Sequence, residues 1–208
     1  MIKPGGFLAK MRARASAKAF DQALADLGDV QSVSEEIERD FSRSRITSSP
    51  FQVGRELCCF ARGKVVLFLP IRSLVWAYGD RTLGEDSPFF ESIQITLWPN
   101  HGPGIKLPMT KADTRVGIEQ LAQAAPWLPV GYSPAMLETW NNDRPSLIAM
   151  IDRARSERRP FRELFPAELD PKTFKPPEFS SKTRVGLVVM SIIVIGGVIL
   201  ALYLWDHR

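Results

Sequence analysis

The sequence predicts an α+β domain, an antiparallel β-meander with packed amphipathic helices, followed by one transmembrane helix. Three observations predict it. Between Arg45 and Leu107 the apolar residues fall in short runs rich in β-branched and aromatic side chains, whereas before and after that stretch they recur at helical spacing. No helical segment separates the short runs, which argues against βαβ units and a parallel sheet. Finally, Val185 to Trp205 is 21 residues without a charge. The 208 residues are 45% apolar and 24% charged, which excludes a wholly disordered, collagen-like or coiled-coil chain.

The first element is basic. Met1 to Phe20 holds Lys3, Lys10, Arg12, Arg14 and Lys18, with no acid before Asp21. It lacks the apolar run of a secretory signal. Its composition favours helix from about Phe7. Three readings stand: a solvated basic helix, a membrane-surface helix with Leu8, Met11 and Ala15 on one face, or a mitochondrial transit peptide. Phe20, Ala23, Leu24 and Leu27 then repeat at helical spacing, with Gly28 as a stop. Val33, Ile37 and Phe41 continue the stripe after Ser32, with Glu35 three residues on as a capping box. Two short amphipathic helices joined near Gly28 to Gln31 follow from this. Their apolar faces need a partner, most simply the domain that comes next.

Six strands are expected over Phe51–Val53, Leu57–Phe60, Val65–Leu69, Leu74–Tyr78, Ile93–Leu97 and Ile105–Leu107. Pro50, Gly54, Gly63, Pro70, Gly79 and Gly84 punctuate them. Ala61 to Lys64 reads as a hairpin turn, and Asn100 to Gly104 as another. Thr110 with Asp113 caps a helix carrying Val116, Ile118, Leu121 and Ala122, which stops before Pro126. Ser133-Pro134 opens a helix with Met136, Leu137 and Trp140. Pro145 opens a third with Leu147, Ile148 and Ile151 facing inward.

Strands, then amphipathic helices, then a membrane anchor is an order that resembles bacterial pleckstrin-homology-like membrane-anchored proteins of unknown function. The resemblance covers roughly residues 45–159 and is carried most by Leu69-Pro70-Ile71-Arg72-Ser73-Leu74-Val75-Trp76-Ala77-Tyr78, where a sheet turns into its next long strand. It implies a curled sheet with a packed helix, and variable loops that bind lipids, peptides or proteins. One strand fewer than usual and the additional helices depart from it, and no functional residue carries over.

The chemistry-bearing residues are few. Cys58 and Cys59 are adjacent, so on a strand they point to opposite faces and form no common site. They read as reduced core thiols. A metal site would want Cys-x-x-Cys spacing with His partners, and His101, in a surface turn, is the domain's sole histidine. Phosphate-cradling, dinucleotide-binding and nucleophile-elbow motifs are absent. Glu35-Glu36 and Glu85-Asp86 read as solvated charges. The expectation is therefore no catalytic residue, no cofactor, no metal, and a protein that is not an enzyme.

Arg153, Arg155, Arg158, Arg159 and Arg162 form the densest basic cluster, partly offset by Asp152 and Glu157. A solvated helix end and a contact with anionic lipid are both open. Lys10, Arg12, Arg14, Lys18, Arg153, Arg155, Arg158 and Arg159 are the candidate membrane-surface residues. A net charge of +4 without a binding motif argues against nucleic acid.

Residues 160–184 read as a Pro-rich linker, with Phe161, Phe165, Phe174 and Phe179 interleaved. The organisation is thus 1–44 N-terminal helices, 45–159 β-rich domain, 160–184 linker and 185–205 transmembrane helix. At about 1.5 Å per residue the last spans roughly 31 Å, a bilayer core. Tyr203 and Trp205 suit the far interface, and Lys182 and Arg184 flank the near one, which places the domain in the cytoplasm. Gly197 and Ala201 are a small-xxx-small pair for helix packing. The expected location is a bacterial inner membrane, with the mitochondrial inner membrane as alternative. The expected role is an adaptor that meets lipid and a protein partner at the membrane surface; the alternative is an accessory subunit of a larger membrane complex.

Overall fold

The computed structural model describes residues 4–44, 46–83, 91–165 and 175. The element order is α1 Phe7–Arg12, α2 Ala17–Ala25, α3 Val30–Asp40, β1 Phe51–Val53, β2 Leu57–Arg62, β3 Val65–Pro70, β4 Leu74–Leu83, β5 Glu91–Pro99, β6 Ile105–Pro108, α4 Lys111–Ala124, α5 Pro134–Asn142, α6 Arg144–Glu157 and α7 Phe161–Leu164. The chain divides into two compact units, Met1–Asp80 with Ile93–Lys175, and Arg81–Ser92 with Pro176–Arg208. Of the second, only residues 81–83 and 91–92 are described, as strand ends.

The fold is α+β, with two antiparallel three-stranded sheets of order β1-β2-β3 and β4-β5-β6. The single meander expected from the strand runs is therefore divided. Pro70 ends β3, and a 3-10 turn at Ile71–Ser73 makes the corner. Proline has no N–H for a ladder; the Ile71 N–H makes the last bond in the β2–β3 register, donating to the Glu56 carbonyl at 2.8 Å, and Ser73 Oγ then donates to the Pro70 carbonyl at 2.7 Å to close the turn.

The two hairpin turns lie where they are expected. Arg62 pairs with Val65 around Gly63, whose φ is +59°. β5 and β6 pair across Asn100–Gly104, with Leu97 opposite Ile105.

The first sheet is apolar on both faces. Phe51, Val53, Cys58 and Phe60 face a core completed by Ile95, Leu97 and Leu107 of the second sheet and by Ile118 and Leu121 of α4. Cys59, Ala61 and Phe68 face Phe7, Leu8, Met11, Phe20, Leu24, Ile37 and Phe41 of the N-terminal helices. A third cluster packs Val75, Trp76 and Tyr78 of β4 against Met136, Trp140, Leu147, Ile151 and Ala154 of α5 and α6. The edge of β4 at Ala77 pairs with residues 129–131, since Gly131 N–H donates to the Ala77 carbonyl at 2.8 Å.

The N-terminal stretch forms three helices, one from Phe7 and the two amphipathic ones joined near Gly28, as expected. α1 ends in a tightened turn, with the Arg14 and Ala15 amides bonding three residues back, and the chain then pairs with the hairpin: Ser16 N–H donates to the Gly63 carbonyl at 2.6 Å, and Gly63 N–H to the Arg14 carbonyl at 3.0 Å. Ser16 then caps α2. α3 opens on Asp29, which accepts from the Ser32 amide at 2.9 Å, so the Ser32–Glu35 capping box does not form. Ser32 is already helical, and Asp29 is the extended residue that a cap requires. Leu8 and Met11 are fully buried. Their face meets the domain, not lipid. Thr110 and Ser133 cap α4 and α5 as expected, and Asp143 caps α6.

The packed chain continues past Arg159. Phe161 is 1% exposed in the third cluster, the Phe165 ring lies tilted against it at 5.0 Å, and Phe161 N–H donates to the Pro126 carbonyl at 3.1 Å. Lys175 N–H donates to the Gly79 carbonyl at 2.7 Å. Among the described residues no helix is long and apolar enough to cross a membrane; the expected span 185–205, with Gly197 and Ala201, lies outside them.

Candidate interaction site

The end of α3 sets up the site. Glu38 turns back and accepts the Phe7 and Leu8 amides at 2.9 Å each, capping α1. Asp40 accepts the Glu56 and Leu57 amides at 2.8 and 3.1 Å. Gly6 lets the Glu38 carboxylate approach, for a Cβ there would stand 2.5 Å from its oxygen. Both carboxylates are thus engaged by backbone donors. Arg39, between them, is exposed.

Beside this helix end lies a cleft of about 650 Å³. Leu57, Pro70, Ile71, Ala124, Ala125 and Trp127 form its apolar floor. Arg39, Arg55, Arg72 and Arg155 stand around it, with Glu36, Asp40 and Glu56. A neighbouring hollow shares Arg39, Asp40 and Arg55 and adds Arg43. Each arginine comes from a different element: α3, the β1–β2 turn, the 3-10 corner and α6. Arg155 is held by Asp152 at 2.9 Å and lies over the Trp127 ring at 4.2 Å. Arg39, Arg55 and Arg72 are exposed and, among the described residues, form no ion pair. The cleft therefore offers uncommitted guanidinium donors above an apolar floor.

The residues expected at the lipid surface are differently placed. Arg14 is partly buried and structural. Its guanidinium donates to the Thr47 carbonyl at 2.6 Å and to the Ser49 carbonyl. Burial pushes it below its ordinary pKa. Arg12 forks onto Asp21 at 2.9 and 2.7 Å, which holds the Asp21 carboxyl below its usual range. Lys10 and Lys18 are exposed. Arg153 pairs with Glu157 at 2.7 Å and Arg159 with Glu163 at 3.7 Å. Arg158 ends α6 in the left-handed conformation, φ 52°. The structure does not gather the two basic groups. Arg14 sits at the tip of the β2–β3 hairpin, and Arg155 lies by its open end, where Leu57 pairs with Pro70. Six-residue strands separate these ends by about 20 Å.

A second cleft, about 540 Å³, carries His101, Arg144 and Asp152. Arg144 is committed there: it donates to the Pro99 and Asn100 carbonyls at 3.1 and 2.8 Å and lies 4.0 Å over Trp140. Cys58 and Cys59 are buried on opposite faces of β2, as expected for core thiols. Burial pushes Cys58 up to about 12 and raises Cys59 well above its ordinary value.

Arg39, Arg55, Arg72 and Trp127 do not stand out in the sequence. The signal available there is local: Arg55 follows Gly54 and Arg72 follows Pro70-Ile71, each an exposed cation at a turn. A family model described as Domain of unknown function (DUF6709) matches residues 15–139, which takes in all six strands and these four residues. None of the curated proteins and none of the solved structures matches.

Proposed function

We infer, for a chain that belongs to the family described as Domain of unknown function (DUF6709), the role of a membrane-anchored adaptor. In this reading the chain is single-pass and C-terminally anchored through residues 185–205. Its domain faces the cytoplasm at a bacterial inner membrane, or the equivalent side of a mitochondrial one. It recruits a protein partner and performs no catalysis. The observation that carries the reading is the cleft: three exposed arginines, without carboxylate partners among the described residues, surround an apolar floor. Surfaces that combine arginine with tryptophan are enriched where proteins bind one another.

The pleckstrin-homology-like architecture belongs to the same proposal. Its support is two antiparallel sheets meeting at the Pro70–Ser73 corner, with α4 packed on the core between them. The cleft lies at that corner, and Arg55, Glu56, Ile71, Arg72, Ala125 and Trp127 of its lining come from turns and connections, the segments with which such domains bind. Lys10, Lys18, Arg153, Arg158 and Arg159 are exposed and are proposed to face anionic lipid. An accessory-subunit role is the second reading. Gly197 and Ala201 favour it, since a small-residue pair lets another helix approach closely.

Fractionation tests the anchor. Deleting residues 185–208 is expected to move the chain from salt-washed membranes to the soluble fraction; continued pelleting after a high-salt wash refutes the anchor. Native sizing of the full chain in mild detergent separates the two roles. A small particle favours the adaptor, and a discrete large assembly the subunit.

A further inference from the structure

We propose that the cleft at the corner of the two sheets binds an acidic, amphipathic segment of a protein partner. The proposal rests on the adaptor reading and names the class of its partner.

Two features select the occupant. The first is charge. Arg39, Arg55 and Arg72 are exposed and unpaired among the described residues, and Arg43 extends the row into the adjoining hollow. Of the three carboxylates present, Asp40 is engaged by the Glu56 and Leu57 amides. Free cationic donors thus prevail at the rim, and they complement Asp and Glu side chains, which arginine grips with two parallel bonds.

The second feature is shape and polarity. The floor is Leu57, Pro70, Ile71, Ala124, Ala125 and Trp127. A concave apolar floor takes the buried face of a helix or extended peptide. A flat anionic bilayer fits poorly, because it cannot reach the floor. A simple phosphate would leave the floor uncovered. A segment with apolar anchors on one face and carboxylates beside them satisfies both floor and rim. Arg155, already stacked on Trp127 and held by Asp152, keeps that ring in place.

The test uses the full chain in mild non-ionic detergent and a fluorescein-labelled peptide of about twelve residues, mostly Glu, with Leu at helical spacing. Three comparators accompany it: the same peptide with Lys for Glu, the same with Ser for Leu, and soluble short-chain phosphatidylserine. The acidic Leu peptide is expected to bind, the Lys peptide not to bind, and the Ser peptide to bind more weakly.

Changing Arg39, Arg55 and Arg72 together to Gln is expected to weaken binding about tenfold. Among the described residues no ion-pair partner is lost, so the melting temperature should hold. Glu36→Lys with Glu56→Lys is expected to tighten binding several-fold, a gain that a misfolded chain would not give. Equal affinity of the triple variant and the unaltered chain overturns the proposal. So does equal binding of the Ser peptide, or arginine-dependent binding of phosphatidylserine without peptide binding. Should the peptide fail while the chain remains anchored and a partner co-purifies, the occupant assigned here falls and the adaptor reading stands.

Discussion

Replacing Gly117 by alanine sets two opposed effects against each other, and the structure decides between them. Gly117 lies inside α4, where alanine is favoured by about 1 kcal/mol. Its Cβ, however, would stand 2.8 Å from Phe51 Cδ1, 3.4 Å from Phe51 Cε1 and 3.6 Å from Ile95 Cδ1. Carbon atoms pack best at about 3.5–4.0 Å. Phe51 is fully buried, its strand is paired with β2 through Phe60, and its N–H donates to Ser49 Oγ. The ring has no open side into which to retreat. Overpacking of this kind costs about 1–3 kcal/mol. The net expectation for Gly117→Ala is a loss of about 1 kcal/mol, a melting shift of about 2–4 °C for a domain of this size. Urea unfolding of the full chain in mild detergent, followed by tryptophan fluorescence, measures it. In a Phe51→Leu background the penalty should shrink or reverse, giving a coupling above about 0.5 kcal/mol. A Gly117→Ala chain that is more stable with Phe51 intact would show that α4 is not seated on β1 as described. Because Ala124, Ala125 and Trp127 close the end of the same helix, that result would also undo the floor of the cleft.

Two further outcomes follow from the environments of individual side chains. Arg14→Gln should destabilise the fold by about 2 kcal/mol in the same urea assay, because it takes a charged donor from the Thr47 and Ser49 carbonyls. Lys18→Gln should stay within about 0.5 kcal/mol, and equal losses for the two would contradict a structural role for Arg14. The thiols give a pH dependence. Cys58 titrates near 12 in the fold against an ordinary 9.0, so above pH 9 the unfolded chain releases its proton first. Its contribution is whole below pH 9 and declines between 9 and about 12, by at most about 1.4 kcal/mol per pH unit. Cys58→Ala should flatten the alkaline fall in stability, and an unchanged slope would count against the buried thiol.

What could be read from the sequence was local. All six strands carried their own β-branched and aromatic runs, Gly63 marked its hairpin, and Thr110 and Ser133 marked their helix starts. What could not be read depended on distant partners. Leu69 to Tyr78 reads as one chain entering its next strand, and only the 3-10 turn at Ile71–Ser73, closed by Ser73 Oγ on the Pro70 carbonyl, reveals the corner that divides the sheets. Leu8 and Met11 form a narrow apolar stripe that suits lipid as well as protein, until the facing sheet supplies Cys59, Ala61 and Phe68. The cleft is the extreme case. Arg39, Arg55, Arg72 and Arg155 share no motif or spacing, and they meet only because α3, the corner and α6 converge. The denser run from Arg153 to Arg162 attracted notice by composition, yet three of its arginines are paired with carboxylates.

The two-sided burial of β2 alters what holds that strand in place. In a half-buried strand a slip by one residue carries apolar groups into water, so polarity enforces the register. Here water is on neither side. Cys58 and Phe60 face one core, Cys59 and Ala61 the other. A slip would thrust the Phe60 ring into space sized for cysteine and alanine, and would leave a void of nearly a benzene ring opposite. Neither core is more polar than the other; they differ in the volume each position allows. The alignment of β2 is therefore written in size, and a substitution there that conserves hydrophobicity but not bulk would blur the distinction between its two faces.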